Sequence, residues 1–156
     1  MKKYIRIEEY KVLIYRILLV YVFYLIARIL FLIFNYELLE VDSISDFIPL
    51  EYHGLAFDTT AILYINTIFI LFSILPFIIN TKKAYQNFLF YLYFTTNLIG
   101  YATNYVDLIY YKFTYSRTTI AFMDIIDHET NKGELFFGFM INYWYVFVLF
   151  FGMAVL

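Results

Sequence analysis

The stretch HGLAFDTTAILYINTIFILFSILP, residues 53–76, decides the fold of this chain, because a short polar motif leads directly into a long apolar segment. No charged residue occurs between positions 59 and 81. About 20 apolar residues in a helix span the roughly 30 Å hydrocarbon core of a bilayer. The segment therefore predicts a transmembrane helix. Asp58 stands at its start, where a carboxylate needs the membrane interface or a protein partner.

The composition of the whole chain also indicates a membrane protein. Of its 156 residues, 63% are hydrophobic, and the mean hydropathy is +0.72, whereas soluble domains contain about 45–50% apolar residues. The net charge is −2 and the basic residues do not group on one face, which argues against a nucleic-acid partner. The chain has no cysteine, which excludes disulfides and thiolate metal sites. We therefore expect an all-α integral membrane protein whose partners are membrane phospholipids.

Four apolar segments predict four transmembrane helices, at about residues 12–34, 57–79, 84–106 and 139–156. The first follows a basic arm and lacks a small-residue cleavage site, so we interpret it as a retained helix rather than a signal peptide. The last is still apolar at Leu156, whereas membrane helices usually end in polar residues. We therefore expect a single transmembrane domain whose fourth helix is cut short by truncation of the chain.

The flanking charges predict the orientation of the chain in the membrane. Lysine and arginine are concentrated before the first helix and recur as Lys82 and Lys83 between the second and third helices. The connection between the first and second helices contains acidic residues but no lysine or arginine. The positive-inside rule therefore places the N-terminus in the cytoplasm and both long connections, residues 36–56 and 112–138, outside.

The first outer connection, residues 36–56, predicts short helical turns that lie on the membrane surface. Ser43 followed by Asp46 resembles a capping box, which favours the start of a helix. Pro49 is expected to keep any such helix short, because proline lacks a backbone N–H.

The second outer connection, residues 112–138, predicts an amphipathic helix at the interface. Phe122, Ile125 and Ile126 share one helical face, and polar residues occupy another. Gly133 is expected to end this helix. The segment carries too many charges to span, so we expect its apolar face to press into the headgroup boundary.

The two histidines do not predict a metal site or a catalytic site. His128 and Glu129 begin like the H-E-x-x-H motif of metalloproteases, but Lys132 stands where the second histidine belongs. A lone histidine such as His53 at the start of a helix is more often a hydrogen-bonded interface residue than a ligand. No glycine-rich phosphate loop or nucleophile elbow occurs. The chain is thus expected to contain neither catalytic residues nor metal ligands.

Arg28, Asp58 and Asp107 are the remaining candidate site residues. All three are predicted near the outer ends of their helices, and charges inside a membrane are usually paired or functional. In one interpretation Arg28 pairs with Asp58, Asp107 or both, and the cluster forms a polar notch for a phospholipid headgroup. In the other, Arg28 extends to the interface and both aspartates lie in the headgroup layer. The sequence alone leaves both open.

The order of four sequence blocks is more informative than any single motif. The blocks are ARILFLIFN (residues 27–35), HGLAFDTTAILY (53–64), NYVDLIYYKFTYSRTT (104–119) and INYWYVFVLF (141–150). Together they resemble the N-terminal membrane domain of the lipoteichoic acid synthase-like family of sulfatase-fold transferases, in the form common in Bacteroidetes-type bacteria. Ala56 departs from the basic residue expected at its position, which weakens any headgroup-binding role there.

The resemblance implies a five-helix membrane domain in the bacterial inner membrane, followed by an extracytoplasmic catalytic domain. That domain would use a threonine nucleophile and a divalent metal to transfer phosphoglycerol or phosphoethanolamine from a phospholipid to an acceptor. The present chain would anchor it and present lipid headgroups. It would need no cofactor of its own, would have the missing catalytic domain as partner, and would be inactive alone.

A different class of function is a self-contained small integral membrane protein, such as a transporter subunit or a membrane partner of another chain. Transporters typically show internal repeats and discontinuous helices. The sequence shows neither of these features, which favours the first interpretation. The reading frame beyond Leu156 distinguishes the two, because only the transferase continues into a long polar domain.

Overall fold

A computed structural model describes residues 7–39, 44–75, 78–119 and 132–155, and all of its regular elements are helical. The α-helices are α1 (Ile7–Phe34), α2 (Ile44–Ile74), α3 (Lys83–Thr114), α4 (Lys132–Asn142) and α5 (Trp144–Val155). Short 3-10 helices follow α1 at Tyr36–Leu38 and precede α3 at Ile78–Thr81. The predicted all-α class is therefore confirmed for the described part of the chain.

The chain divides into two compact units. The first unit comprises Met1–Leu25 and Ile44–Gly100, and the second comprises Ile26–Ser43 and Tyr101–Leu156. Each of α1 and α3 is therefore divided between the two units: α1 after Leu25 and α3 after Gly100.

Two of the described helices are long and apolar enough to cross a bilayer. They are α1 and the Tyr52–Ile74 part of α2. Only 28% and 17% of their most apolar windows are buried, whereas the core helix of a soluble protein is mostly buried. These two helices indicate a membrane protein. The α3 helix is longer, at 32 residues, but its many tyrosines, asparagines and threonines lower its hydropathy.

The exposed face of the central part of α1 is apolar, which is the reverse of a surface helix in a soluble protein. Along α1, large exposed side chains recur every three or four residues: Ile14, Leu18, Val22, Leu25, Ile29 and Ile33. Polar side chains are instead found among the buried residues, including Arg28, Asn35, Asn66, Asn97 and Asp107. Such helices are apolar on all sides and keep their few polar groups against protein, as expected in lipid.

The α2 helix begins much earlier than the sequence predicts. It runs without interruption from Ile44 through Pro49, so the expectation that Pro49 limits the segment to short turns is wrong. Pro49 lies in the second turn, where it removes one N–H and hence one hydrogen bond, to the carbonyl of Ser45, while its fixed φ suits a helix. One lost bond near a helix end does not stop a helix that packs along the rest of its length.

The other predicted boundaries differ in smaller ways. The α3 helix continues to Thr114 rather than ending near residue 106. The predicted fourth helix, residues 139–156, is instead divided between the end of α4 and α5, which Tyr143 separates. Gly133 lies in the first turn of α4. The predicted interfacial helix with Phe122, Ile125 and Ile126 lies outside the described residues.

Side chains donate hydrogen bonds to backbone carbonyls in the turn between α2 and α3. Asn80 is fully buried, and its Nδ2 donates to the carbonyl of Leu75 at 2.6 Å. Gln86 Nε2 donates to the carbonyl of Asn80 at 2.7 Å. Tyr85 Oη donates to the carbonyl of Phe72 at 3.1 Å. Carbonyls at the end of a helix have no partner within it, and here the side chains of the turn and of α3 supply hydrogen bonds.

Candidate functional site

In the second unit, the last turns of α1 pack against α3 and α5. The buried core of this contact consists of Phe31, Tyr105, Leu108, Ile109 and Val146. Aromatic contacts extend it, since the ring centroids of Phe31 and Tyr111 are 5.0 Å apart and those of Phe34 and Tyr145 are 5.5 Å apart. This apolar base fixes the position of the polar residues at the end of α1.

Asn35 lies at the end of α1 and is only 1% exposed. Its Nδ2 donates to the carbonyl of Phe31 at 3.0 Å and to the carbonyl of Leu108, on α3, at 3.2 Å. Its Oδ1 is buried and has no hydrogen-bond partner. A buried acceptor without a donor is unfavourable, which makes Asn35 an incompletely satisfied polar group at the end of α1.

A cleft of about 540 Å³ lies next to Asn35. Its lining is formed by the residues at the end of α1 and by one residue of α3: Ile33, Phe34, Asn35, Tyr36, Glu37, Leu38 and Lys112. Lys112 is half-buried, with its Nζ 5.8 Å from the centroid of the Phe34 ring. Among the described residues no carboxylate lies within ion-pair distance of Lys112. The cleft therefore combines a positive charge with hydrogen-bond acceptors.

The segment after α3 brings a second positive charge to the same unit. The backbone N–H of Thr118 donates to Asp107 Oδ1 at 2.6 Å, which ties this segment back to α3. The guanidinium carbon of Arg117 lies 4.6 Å from the centroid of the Phe31 ring. Such a distance is short enough for a cation–π attraction.

Tyr115 makes the sharp turn that ends α3. Its φ is 53°, in the left-handed region that non-glycine residues seldom adopt. Its N–H donates to the carbonyl of Tyr111 at 2.9 Å, which is the single bond of a left-handed helix cap. Thr114 Oγ1 donates to the carbonyl of Tyr110 at 2.9 Å. This cap redirects the chain so that Arg117 returns over α1.

The structure brings only part of the predicted charge cluster into one unit. Arg28 and Asp107 are both buried and belong to the second unit, and Asp107 accepts the hydrogen bond from Thr118. Asp58 is half-buried and belongs to the first unit. The pairing of Arg28 with Asp58 or Asp107 stays a prediction.

The first unit contains a buried polar contact between α2 and α3. Asn66 and Asn97 exchange two amide hydrogen bonds, at 3.0 and 2.8 Å, and are 0% and 2% exposed. Each amide also donates to a carbonyl of its own helix, on Ile62 and Tyr93. Hydrogen bonds of this kind link membrane helices and contribute about 0.6–2 kcal/mol.

Several of these polar residues are not among the candidates predicted from the sequence. Asn35, Asn66 and Asn97 are uncharged, so a search for charges in apolar segments passes over them. A usable signal was present, because Asn66 follows the buried Ile62 by four residues and Phe69 follows Asn66 by three. An asparagine at helical spacing within an apolar face predicts a partner on another helix.

The described residues do not gather metal ligands. No group of three or more histidine, cysteine, aspartate or glutamate side chains occurs among residues 7–39, 44–75, 78–119 and 132–155. His53 is exposed and makes an edge contact with Tyr52 at 5.8 Å between ring centroids. His128 lies outside the described residues.

The site can thus be characterised by its chemistry: a cleft at the end of α1 is lined by a lysine, a glutamate and a buried asparagine. In the same unit, Arg117 lies over the Phe31 ring. No protein family, no curated protein and no solved structure matches the chain.

Proposed function

We propose that this chain is a four-span membrane domain that binds a phospholipid headgroup and presents it to a lipoteichoic acid synthase-like transferase domain in the bacterial inner membrane. Two spans are α1 and α2. The third is α3, whose 32 residues extend about 48 Å at 1.5 Å per residue. The fourth combines α4 with α5, since the 12 residues of α5 alone extend only about 18 Å.

The observation that carries the proposal is that three of the four sequence blocks of the resemblance meet in the second unit. Asn35 of the first block donates to Leu108 of the third. Arg117 of the third block lies over the Phe31 ring of the first. Tyr145 of the last block stacks on Phe34. Blocks that are distant in sequence and contact each other in one unit support a shared role, and the first and third blocks also line the cleft.

The chemistry of the cleft suits a phosphoglycerol or phosphoethanolamine headgroup. Lys112 supplies a positive charge for the phosphate. The Glu37 carboxylate, which lines the cleft, can accept hydrogen bonds from the hydroxyls of glycerol or from the ammonium of ethanolamine. Phe34 and Ile33 offer apolar surface to the glycerol backbone and acyl chains.

The proposal assigns no catalytic step to this chain. The resemblance implies a divalent metal, and the described residues hold no cluster of metal ligands that fits one. Metal binding and transfer would belong to the catalytic domain, and the present chain would anchor that domain and position its lipid substrate.

Photo-crosslinking tests the headgroup site. A photoreactive amino acid replaces Tyr36, which lines the cleft and is 64% exposed. A matched control replaces Tyr64 on α2, which is 79% exposed and lies in the other unit. Each protein is reconstituted with alkyne-labelled phosphatidylglycerol, phosphatidylethanolamine or diacylglycerol.

We expect position 36 to prefer the two phospholipids over diacylglycerol, and Lys112→Gln to reduce this preference several-fold. Position 64 should label all three lipids equally, with or without Lys112. Equal labelling of diacylglycerol at position 36 would exclude headgroup recognition. The link to a transferase is tested separately by the gene sequence: a stop codon directly after Leu156 would contradict it.

A further inference from the structure

Arg16, in the first unit, is surrounded by aromatic rings from two other helices. Its guanidinium carbon lies 5.8 Å from the ring centroid of Phe69 on α2, 5.7 Å from that of Phe90 and 5.8 Å from that of Tyr93, both on α3. Tyr93 Oη also donates to the backbone carbonyl of Arg16 at 3.1 Å. The side chain is thus held by ring contacts and its backbone by a hydrogen bond to the same tyrosine.

The rings do not satisfy the hydrogen-bonding capacity of this side chain. A guanidinium carries five N–H donors and stays protonated in proteins. Among the described residues, no carboxylate lies within ion-pair distance of Arg16, and its side chain donates no hydrogen bond to any of them. Cation–π attraction stabilises the charge but provides no oxygen acceptor. A partly buried cation in this condition requires an anionic or strongly accepting partner.

The position of Arg16 along α1 indicates which partner is within reach. Arg16 lies nine residues after the start of α1 at Ile7, or about 14 Å along the axis. The 28 residues of α1 extend about 42 Å, some 12 Å more than the hydrocarbon core. Arg16 therefore lies near the boundary between acyl chains and headgroups. Tyr10 and Tyr15, which are 41% and 65% exposed, flank it as interfacial tyrosines do.

We propose that Arg16 is a phosphate-binding site for a phospholipid of the leaflet at the N-terminal end of α1. The guanidinium binds the lipid phosphodiester through two N–H groups, while Phe69, Phe90 and Tyr93 hold the cation in place. Arginine suits this role better than lysine because its planar fork matches two phosphate oxygens and contacts aromatic rings. The site is separate from the cleft at the end of α1, and it rests on the chain spanning a bilayer as proposed above.

Solid-state NMR tests the contact directly. The chain contains only four arginines, at positions 6, 16, 28 and 117, so uniform ¹⁵N-arginine labelling gives few guanidinium signals. The protein is reconstituted in phosphatidylglycerol bilayers, and dephasing of guanidinium ¹⁵N by lipid ³¹P is measured. We expect one strongly dephased signal that disappears in Arg16→Lys, which keeps the charge. If the dephased intensity is the same in the wild type and in Arg16→Lys, the proposal is wrong.

The source of the phosphate is decided by a second sample. The same protein is placed in galactolipid bilayers, which lack phosphorus, with inorganic phosphate added to the buffer. We expect no dephasing at Arg16 in this sample. Dephasing equal to that in phosphatidylglycerol would identify a soluble phosphate site and overturn the assignment to a lipid.

The rise in melting temperature on addition of phospholipid tests the same site independently of the NMR experiment. We expect phosphatidylglycerol, but not diacylglycerol, to raise the melting temperature of the wild type in neutral detergent. Arg16→Gln should need about tenfold more phospholipid for the same rise, since a bidentate charge-assisted contact is lost. Lys11→Gln is the matched control, because Lys11 is exposed on the same helix and pairs with Glu8 at 2.8 Å.

The same experiment distinguishes lipid binding at Arg16 and its aromatic rings from lipid binding in the cleft at the end of α1. Phe90→Leu leaves Arg16 in place and should also weaken the response to phospholipid. Lys112→Gln changes the cleft and should leave the part of the response that depends on Arg16. If Arg16→Gln and Lys11→Gln respond alike while Lys112→Gln loses the response, only the cleft binds lipid and the Arg16 site is refuted.

Discussion

The hydrogen-bonded amides of Asn66 and Asn97 allow the stabilising effect of a buried polar contact between α2 and α3 to be measured. Replacing either by leucine leaves the other amide without its partner, so each single variant should lose about 1–3 kcal/mol of unfolding free energy. The double variant should lose less than the sum of the two, with a coupling of about 1 kcal/mol. Unfolding by sodium dodecyl sulfate in mixed micelles, followed by circular dichroism, provides the measurement.

Thr67→Ala serves as the control for this cycle. The hydroxyl of Thr67 donates only within its own helix, to the carbonyl of Leu63 at 2.6 Å. Its loss should change stability by less than about 0.5 kcal/mol. Additive losses for the two asparagines would mean that their hydrogen bonds do not couple α2 to α3.

Arg28, Asp58 and Asp107 are tested as a charge cluster by two double-mutant cycles. Arg28→Met is combined with Asp58→Asn in one cycle and with Asp107→Asn in the other. If Arg28 pairs with a buried aspartate, removing one partner should cost about 3–5 kcal/mol and the cycle should show strong coupling. Asp107→Asn is a suitable change because an amide oxygen can still accept the bond from Thr118. Thermal unfolding in detergent is measured, and additivity in both cycles would leave Arg28 as a residue that extends to the interface.

At the scale of elements, Gly100 on α3 leaves room within the first unit for the side chains of Tyr24 on α1 and Ile65 on α2. A Cβ at this position would lie 2.7 Å from Tyr24 Oη and 3.0 Å from Ile65 Cδ1. Gly100→Ala should therefore destabilise the protein by about 1–3 kcal/mol, even though alanine favours helix more than glycine does. Thermal unfolding in detergent shows whether Gly100→Ala lowers or raises the stability of the protein.

Gly152 on α5 provides the matched control, since a Cβ there would meet nothing within 4 Å. Gly152→Ala should be neutral or should stabilise by up to about 1 kcal/mol. Adding Tyr24→Phe to Gly100→Ala removes the closest contact and should restore part of the loss. A stabilising effect of Gly100→Ala alone would contradict the close approach.

The elements also show where sequence reasoning succeeded and where it failed. The apolar run after Asp58 predicted the body of α2 correctly, because its composition alone makes any other structure unfavourable in lipid. Its start was misjudged because proline was treated as a stop signal, although Pro49 costs only one hydrogen bond near a helix end. The contacts of Asn35 and Thr118 could not have been predicted, because they depend on which helix faces reach each other.

At the scale of the whole molecule, the orientation predicted from the flanking charges can be tested by labelling. The chain has no cysteine of its own, so single cysteines can replace Ser45, Thr81 and Thr130. A membrane-impermeant maleimide should label positions 45 and 130 in intact cells, and position 81 only after the membrane is opened. Labelling of position 81 in intact cells would contradict the predicted orientation.

The turn between α2 and α3 has a consequence for how the protein is made. Among the described residues, the side chains of Asn80, Gln86 and Tyr85 donate to the carbonyls of Leu75, Asn80 and Phe72, and all of these groups lie within residues 72–86. Hydrogen bonds this local can form as soon as both helices have been synthesised, so α2 and α3 can enter the membrane together as a hairpin. Lys82 and Lys83, directly after Thr81, are then expected to stay on the side from which the hairpin entered, which agrees with the predicted orientation.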